Sequence, residues 1–199
     1  MNQPRYQKHH TALVASDNIG GGTRIWAFCN VMEGAVIGTD CNLGDHCYVE
    51  NDVRIGDRVT IKNGVSLWDG ITIEDDVFVG PHAVFTNDIY PRSKTPFDNP
   101  VRTLIRQGAT IGANATVVAG GTVGRYAFIG AGAVVTSDIP DFALWFGNPA
   151  RQIGYVCKAG RRLNFSPDAE GRLVARGRAG EMYLFANERV TELGEYTTP

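Results

Sequence analysis

Polar residues recur every 18 positions in the first half of the chain, as Glu33, Asn51, Asp69 and Asn87. The carboxylate of Asp69 could act as a general base, and so could that of Asp88, which directly follows the series. The side-chain amide of Asn87 can only donate or accept hydrogen bonds at neutral pH. These groups can act together only if the fold itself repeats with the same period.

Two other kinds of chemistry are open to the chain. Cys29, Cys41 and Cys47 could supply a thiolate nucleophile, and His46 and His82 could bind a metal. Both possibilities again depend on which way the repeating fold turns these side chains.

A strict period of six organises most of the chain. Apolar residues stand at Leu13, Ile19, Ile25, Val31, Ile37, Leu43, Val49, Ile55, Ile61, Leu67, Ile73, Val79, Phe85, and again at Ile105, Ile111, Val117, Val123, Ile129 and Val135. A helix requires a period near 3.6 and a half-buried strand a period of 2, so neither explains the pattern. The period predicts a solenoid of short strands joined by bends, with three repeats, or 18 positions, to each coil.

This solenoid has about seven coils over residues 13–140, each about 4.8 Å from the next. Glycine often follows the apolar position, where we expect it to permit a backbone geometry that other residues resist. The three cysteines occupy small inward positions and are predicted to be inert core residues. His46 and His82 lie two coils, about 10 Å, apart, too far to share one zinc within a chain.

A proline-rich segment interrupts the period. The apolar series jumps by 20 positions from Phe85 to Ile105, where a coil would give 18. Because Pro91, Pro96 and Pro100 cannot lie inside a strand ladder, we predict a loop over residues 87–104 that leaves the solenoid. Asn87 opens this loop.

Composition excludes several partners. Nineteen basic and 21 acidic residues give a net charge of -2, so no basic field favours nucleic acid. The polar start, MNQPRYQKHH, predicts a cytoplasmic protein without a secretory signal. The most apolar stretch, 117–135, follows the same period of six, which argues against membrane insertion.

The repeat resembles that of the hexapeptide-repeat acyltransferases. This resemblance implies an all-β fold, a left-handed parallel β-helix with a protruding loop and a small C-terminal β extension. Six motifs narrow the resemblance to enzymes that acetylate the 3-amino group of nucleotide-linked sugars. They are GTRIW, SLWDG, FTNDIYPRSK, GATIGANATVV, IGAGAVVTSDIP and GNPARQIG. LWDG and FTND with PRSK favour a dTDP-3-amino-3,6-dideoxyhexose. The tail favours a UDP-linked 2-acetamido-3-amino-2,3-dideoxyglucuronic acid, so the nucleotide stays open.

The resemblance also implies roles for individual residues. Many relatives use a loop histidine as base, whereas this loop has none and carries Asn87 at the matching position. We therefore expect the neutral 3-amino group of the sugar to attack the thioester of the acyl donor directly. Asn87 would orient the amine, and Asp69 and Asp88 are candidate bases. The expected substrate-binding residues are Arg24, Glu33, Asn51, Trp68, His82 and Arg92.

Acetyl-CoA is the implied co-substrate, and no metal is expected. By motif match, coenzyme A would contact Ala113, Ala131, Thr136 and Arg151 in a groove between adjacent subunits of a homotrimer. The rival of another class is a non-enzymatic β-solenoid that serves as an assembly module. The loop and the GNPAR segment favour the enzyme.

The tail is predicted to be a separate β extension, with the β-helix over residues 1–153 and the extension over 154–199. Some relatives carry a zinc ribbon in this region. Here Cys157 stands alone, because Ala159, Arg176 and Ala179 occupy the positions of the other thiolates. We therefore expect a zinc-ribbon remnant without metal.

Overall fold

A computed structural model describes residues 6–95 and 100–195 of the chain. These residues form strands and turns, with no helix among them and hence none that could cross a membrane. The strands before the tail are β1 (Gln7–Lys8), β2 (Leu13–Val14), β3 (Arg24–Ile25), β4 (Asn30–Val31), β5 (Val36–Ile37), β6 (Asn42–Leu43), β7 (Tyr48–Val49), β8 (Arg54–Ile55), β9 (Thr60–Ile61), β10 (Ser66–Leu67), β11 (Ile71–Ile73), β12 (Phe78–Val79), β13 (Val84–Phe85), β14 (Thr103–Ile105), β15 (Thr110–Ile111), β16 (Thr116–Val117), β17 (Thr122–Val123), β18 (Phe128–Ile129) and β19 (Val134–Val135). The remaining strands are β20 (Ala143–Phe146), β21 (Arg151–Tyr155), β22 (Ser166–Pro167), β23 (Leu173–Arg176), β24 (Glu181–Ala186) and β25 (Arg189–Glu195).

The strands up to β20 wind into a left-handed parallel β-helix with three faces, as expected. The first face runs β1-β3-β6-β9-β12-β15-β18-β20, the second β2-β4-β7-β10-β13-β16-β19, and the third β5-β8-β11-β14-β17. Partners in neighbouring coils are 18 positions apart, as in the pairs Asn30–Tyr48 and Val36–Arg54. Residues with this separation therefore lie one above the other on the same face or edge.

The apolar series lines the inside of the helix from Ile19 onward, where every member is buried. Its first member is an exception, because Leu13 is 69% exposed. The pairs Leu13–Asn30 and Val14–Val31 show that the first coil is one residue short, so Val14 takes the inward position instead. The prediction for Leu13 was therefore wrong.

Glycine is needed after the apolar positions for a different reason from the one expected. Gly20, Gly80 and Gly112 do not adopt positive φ angles. A Cβ at any of them would instead overlap the backbone of the following coil: Gly38, Gly112 and Ala131, respectively. Glycine is thus required by the close approach of successive coils and not by an unusual backbone conformation.

The loop lengthens a single coil. Partners across it, such as Val84 and Thr116, are 32 positions apart, where a regular coil gives 18. Phe85 ends β13 on the second face, and Ile105 ends β14 on the third face of the same coil. The 20 positions between them therefore replace one regular step of six. The insertion is larger than the sequence comparison with a whole coil of 18 positions indicated. Residues 96–99 of the predicted loop lie outside the described residues.

The tail folds as a small β unit beside the last coils. Strand β21 pairs antiparallel with β20, and the predicted boundary at residue 153 falls inside it. Strands β22 to β25 form an antiparallel sheet. A second apolar cluster joins Phe142 of the β-helix to Cys157, Leu163 and Tyr183 of the tail. The extension is thus packed onto the β-helix.

We expect Gly112→Ala to lower the free energy of unfolding by about 1–3 kcal/mol, because the new Cβ would overlap the backbone nitrogen of Ala131. Gly121→Ala is the matched control, since its nearest neighbour would be a carboxylate oxygen of Asp138 at 3.5 Å. That variant should stay within about 0.5 kcal/mol of the parent protein. Urea denaturation of both variants measures the difference, and equal stabilities would contradict the close-approach explanation.

Candidate active site

The column Glu33, Asn51, Asp69 and Asn87 lies along the edge between the second and third faces. Asn51 Oδ1 accepts a hydrogen bond from Gly34 N (3.0 Å), and Asp69 Oδ1 accepts one from Asp52 N (2.6 Å). Asn87 Nδ2 donates to the carbonyl oxygen of Asp69 at 3.4 Å. The structure therefore brings Asp69 and Asn87 together.

Asn51 and Asp69 of this column have a structural role as hydrogen-bond acceptors. Asp45, Asp57 and Asp75 on the other two edges each accept a backbone N–H from the preceding coil, as Asn51 and Asp69 do. Asn87 departs from this arrangement, because its amide donates a long hydrogen bond instead of accepting one. No described residue donates to its Oδ1, so both ends of the amide can engage a ligand.

Aromatic and acidic side chains that sequence reasoning missed surround this point. Glu50 Oε2 accepts a hydrogen bond from Asp69 N (2.7 Å). The ring of Tyr48 lies 5.4 Å from that of Trp68, on the second face below the loop. Burial, with the charges of Glu50 and Asp69, raises the pKa of Tyr48. One signal was present in the sequence, because Glu50 lies one coil before Trp68.

The loop is tied down at its base. Asn87 O accepts a hydrogen bond from Val101 N (2.9 Å), which closes the insertion. Arg102 forms an ion pair with Asp52 at 2.9 Å. A Cβ on Gly70 would touch Pro100, and one on Gly120 would touch Val101. The returning strand of the loop thus crosses the edge at two glycines.

The start of the loop presents exposed side chains. Asp88 Oδ1 accepts a hydrogen bond from Tyr90 N (2.8 Å) and shapes the first turn. Tyr90 is 83% exposed, and Arg92 is exposed, with its guanidinium donating a hydrogen bond to the carbonyl of Pro91 at 2.8 Å. Arg92 is therefore available to a molecule outside the chain.

Other predicted substrate residues lie away from Asn87 within one chain. Glu33 lies three coils before it, about 14 Å along the axis at the strand spacing. Arg24 lies on the first face, three strands before β12. His82 lies on the edge between the first and second faces, with its ring over Gly64. A single chain therefore brings together Trp68, Asp69, Asn87 and Asp88 but not Arg24, Glu33 or His82.

The four residues expected to contact coenzyme A lie in the last coils. Ala113 and Ala131 stack on the edge between the first and second faces, where Gly132 N donates to Ala113 O (2.8 Å). Thr136 is exposed just after β19. Arg151 is exposed at the start of β21, with its guanidinium on the carbonyl of Ala150 (2.8 Å). Ala131 is exposed and Ala113 is half-buried, and each presents only a methyl group at this edge.

All four cysteines are buried. Burial raises the pKa of Cys41, and a hydrogen bond with Cys29, together with burial, raises that of Cys47. The same hydrogen bond lowers the pKa of Cys29 to about 7, but Cys29 is only 1% exposed. The thiols of Cys29 and Cys41 hydrogen-bond to backbone carbonyls at 3.0 Å. Burial and these contacts favour a core role for the three cysteines of the β-helix.

Family models of a hexapeptide repeat match the chain on both sides of the loop. The model described as bacterial transferase hexapeptide (six repeats) matches residues 52–87. The model described as hexapeptide repeat of succinyl-transferase matches residues 34–68 and 105–137. The matched segments on both sides of the loop therefore carry hexapeptide repeats.

One relative is the dTDP-3-amino-3,6-dideoxy-alpha-D-galactopyranose 3-N-acetyltransferase of Aneurinibacillus thermoaerophilus, which is 49% identical over 92 residues. The match covers 46% of this chain and 45% of that relative, so it spans less than half the relative's length.

Two solved structures share the fold. A hexapeptide-repeat acetyltransferase of Vibrio cholerae, in complex with acetyl-coenzyme A, has a TM-score of 0.54 and 29% identity over 61% of this chain and 70% of that one. A maltose O-acetyltransferase of Clostridium difficile has a TM-score of 0.53 and 25% identity over 59% and 67%. These similarities confirm the resemblance to hexapeptide-repeat acyltransferases.

The tail should bind no zinc after purification from zinc-containing medium, because Cys157 is a single buried thiol and one thiolate cannot hold the metal. Elemental analysis should give well under one zinc per chain. Stoichiometric zinc that Cys157→Ser abolishes would refute the zinc-free remnant.

Proposed function

We propose that the protein is an acetyl-CoA-dependent N-acetyltransferase that acts on the 3-amino group of a nucleotide-linked amino sugar. A dTDP-3-amino-3,6-dideoxyhexose is the favoured substrate. The observation that carries the proposal is the position of Asn87 at the mouth of the loop, where its amide contacts Asp69, the residue that follows Trp68. The 49% identity to an enzyme named for this reaction supports the choice of substrate.

In the proposed reaction the neutral amine attacks the thioester carbonyl carbon. A nitrogen–carbon bond forms, the carbon–sulfur bond breaks, and one proton passes from nitrogen to the departing sulfur. An amine of pKa about 8 is appreciably neutral at pH 7, and a thiolate of pKa about 8.5 leaves readily. The scheme therefore requires no histidine.

Asn87 would orient the reacting groups. Its hydrogen bond to Asp69 O is long, at 3.4 Å, so the amide can turn to the amine or to the oxygen of the tetrahedral intermediate. Asp69 and Asp88 each use Oδ1 to accept a backbone N–H. Each keeps a second oxygen to accept a hydrogen bond from the amine.

Tyr48 and Trp68 form an aromatic surface next to these groups, which suits the apolar face of a deoxysugar or a nucleotide base. Arg24, Glu33 and His82 could join the site only from a neighbouring protomer. We therefore propose a homotrimer in which a neighbouring protomer supplies these residues and coenzyme A lies between subunits, at Ala113, Ala131, Thr136 and Arg151. The trimer and the cytoplasmic location stay predictions.

A panel of dTDP- and UDP-linked 3-amino sugars tests the function. Thiol release from acetyl-CoA should give the highest kcat/KM with a dTDP-3-amino-3,6-dideoxyhexose. A higher value with the UDP-linked 3-amino uronic acid would favour the alternative that the tail suggests. If no amino sugar released thiol, the enzyme assignment would give way to an assembly module.

Asn87→Ala should lower kcat about 10²–10³-fold, because one aligned hydrogen bond to the developing charge contributes roughly 3–4 kcal/mol. Asn63→Ala removes an amide that bonds Asp45 on another edge, and it should leave kcat unchanged. Steady-state kinetics with saturating acetyl-CoA compares the two variants. A loss of less than about threefold for Asn87→Ala would remove Asn87 from the mechanism.

A further inference from the structure

A cavity of about 540 Å³ lies between the β-helix and the tail, on the edge between the third and first faces. The turn after Cys157 covers one side of it. Its walls include Asp76, Tyr126 and Phe128 from the β-helix and Lys158, Arg161 and Arg178 from the tail. The volume lies within the range of small-molecule sites.

Two of the three cations on its wall have no acidic partner among the side chains that the structure describes. Lys158 forms an ion pair with Glu192 at 2.6 Å. Asp76 is engaged by Arg58 at 2.7 Å, and this hydrogen bond keeps the pKa of Asp76 below its usual range. No carboxylate whose side chain the structure describes lies within 4.0 Å of the guanidinium of Arg161 or Arg178; the side chain of Glu195 is not among these. The cavity therefore offers two positive charges to a ligand.

Aromatic rings line the same cavity. Phe128 stacks on Phe146 with 6.5 Å between ring centroids, and it borders the cavity beside Thr110, its partner in the preceding coil. Phe146 thus covers part of Phe128, and Gly160 leaves room for a planar group at the ring, because a Cβ there would stand 3.6 Å from it. Tyr126 is held against Phe142 at 5.4 Å, so this wall is fixed.

We propose that this cavity binds a nucleoside phosphate, with the base on Phe128 and the phosphate between Arg161 and Arg178. Guanidinium groups suit phosphate because they donate paired hydrogen bonds, and aromatic rings stack on any base. The site lies on a different edge from Asn87 and uses none of the residues assigned to acetyl transfer. A free nucleotide and the adenosine phosphate of coenzyme A share this chemistry.

Photocrosslinking with 5-iodo-2′-deoxyuridine 5′-diphosphate tests the site on the full chain. Cleavage after Arg and Lys places Tyr126 and Phe128 in peptide 126–151, whereas Trp68, Asn87 and Tyr90 fall in peptide 63–92. We expect a crosslink at Phe128 or Tyr126, located by fragmentation of the first peptide. Protection by dTDP would identify a free nucleotide as the ligand, and protection by coenzyme A alone would identify its adenosine phosphate.

Arg161→Gln with Arg178→Gln should lower this crosslink at least tenfold. Both side chains are exposed, so the fold should tolerate the change, and each single variant should show a partial loss. Arg54→Gln with Arg176→Gln removes the same charge outside the cavity and should leave the yield unchanged. A crosslink confined to peptide 63–92, or one that the Arg161 and Arg178 variants do not reduce, would overturn the proposal.

Discussion

Successive coils must lie one strand spacing apart on all three faces and edges of the β-helix. Every other feature of the structure depends on this constraint. Backbone hydrogen bonds between neighbouring coils hold the spacing, as between Asn30 N and Cys47 O. Gly112 meets it by having no Cβ where Ala131 approaches. The constraint keeps equivalent positions of successive coils in register, so it places Asn87 above Asp69 and makes a site from distant parts of the sequence.

The insertion opens this ladder at one edge only. Val101 N bonds Asn87 O, and β14 then takes its place beside β11 with the register intact. Asn87 consequently stands where the chain leaves the ladder, so its amide is not committed to the regular acceptor role of Asn51 and Asp69. The long hydrogen bond of Asn87 and the exposed Arg92 both occur where the chain leaves the ladder. A solenoid without an insertion would have neither.

The sequence could predict the β-helix because its inward positions repeat with a period of six, and it could predict the neighbouring of Asp69 and Asn87 because they differ by one coil. It could not predict that Val14 would take the inward position in place of Leu13, because both residues are apolar and either would fit the pattern. The sequence could not predict the roles of Tyr48 and Glu50. Periodicity predicts the backbone positions, whereas the contacts of these residues with Trp68 and Asp69 depend on the length and direction of their side chains. The cavity between Phe128 and Arg161 escaped because it depends on how the tail packs.

The central claim is that the mouth of the loop holds the sugar amine at Asn87. A crystal structure of the protein with coenzyme A and a dTDP-linked 3-amino sugar tests it most directly. The account predicts the sugar nitrogen within about 3 Å of an Asn87 side-chain atom, with the sulfur of coenzyme A on its other side. A sugar bound elsewhere, with the Asn87 amide still on the carbonyl of Asp69, would contradict it.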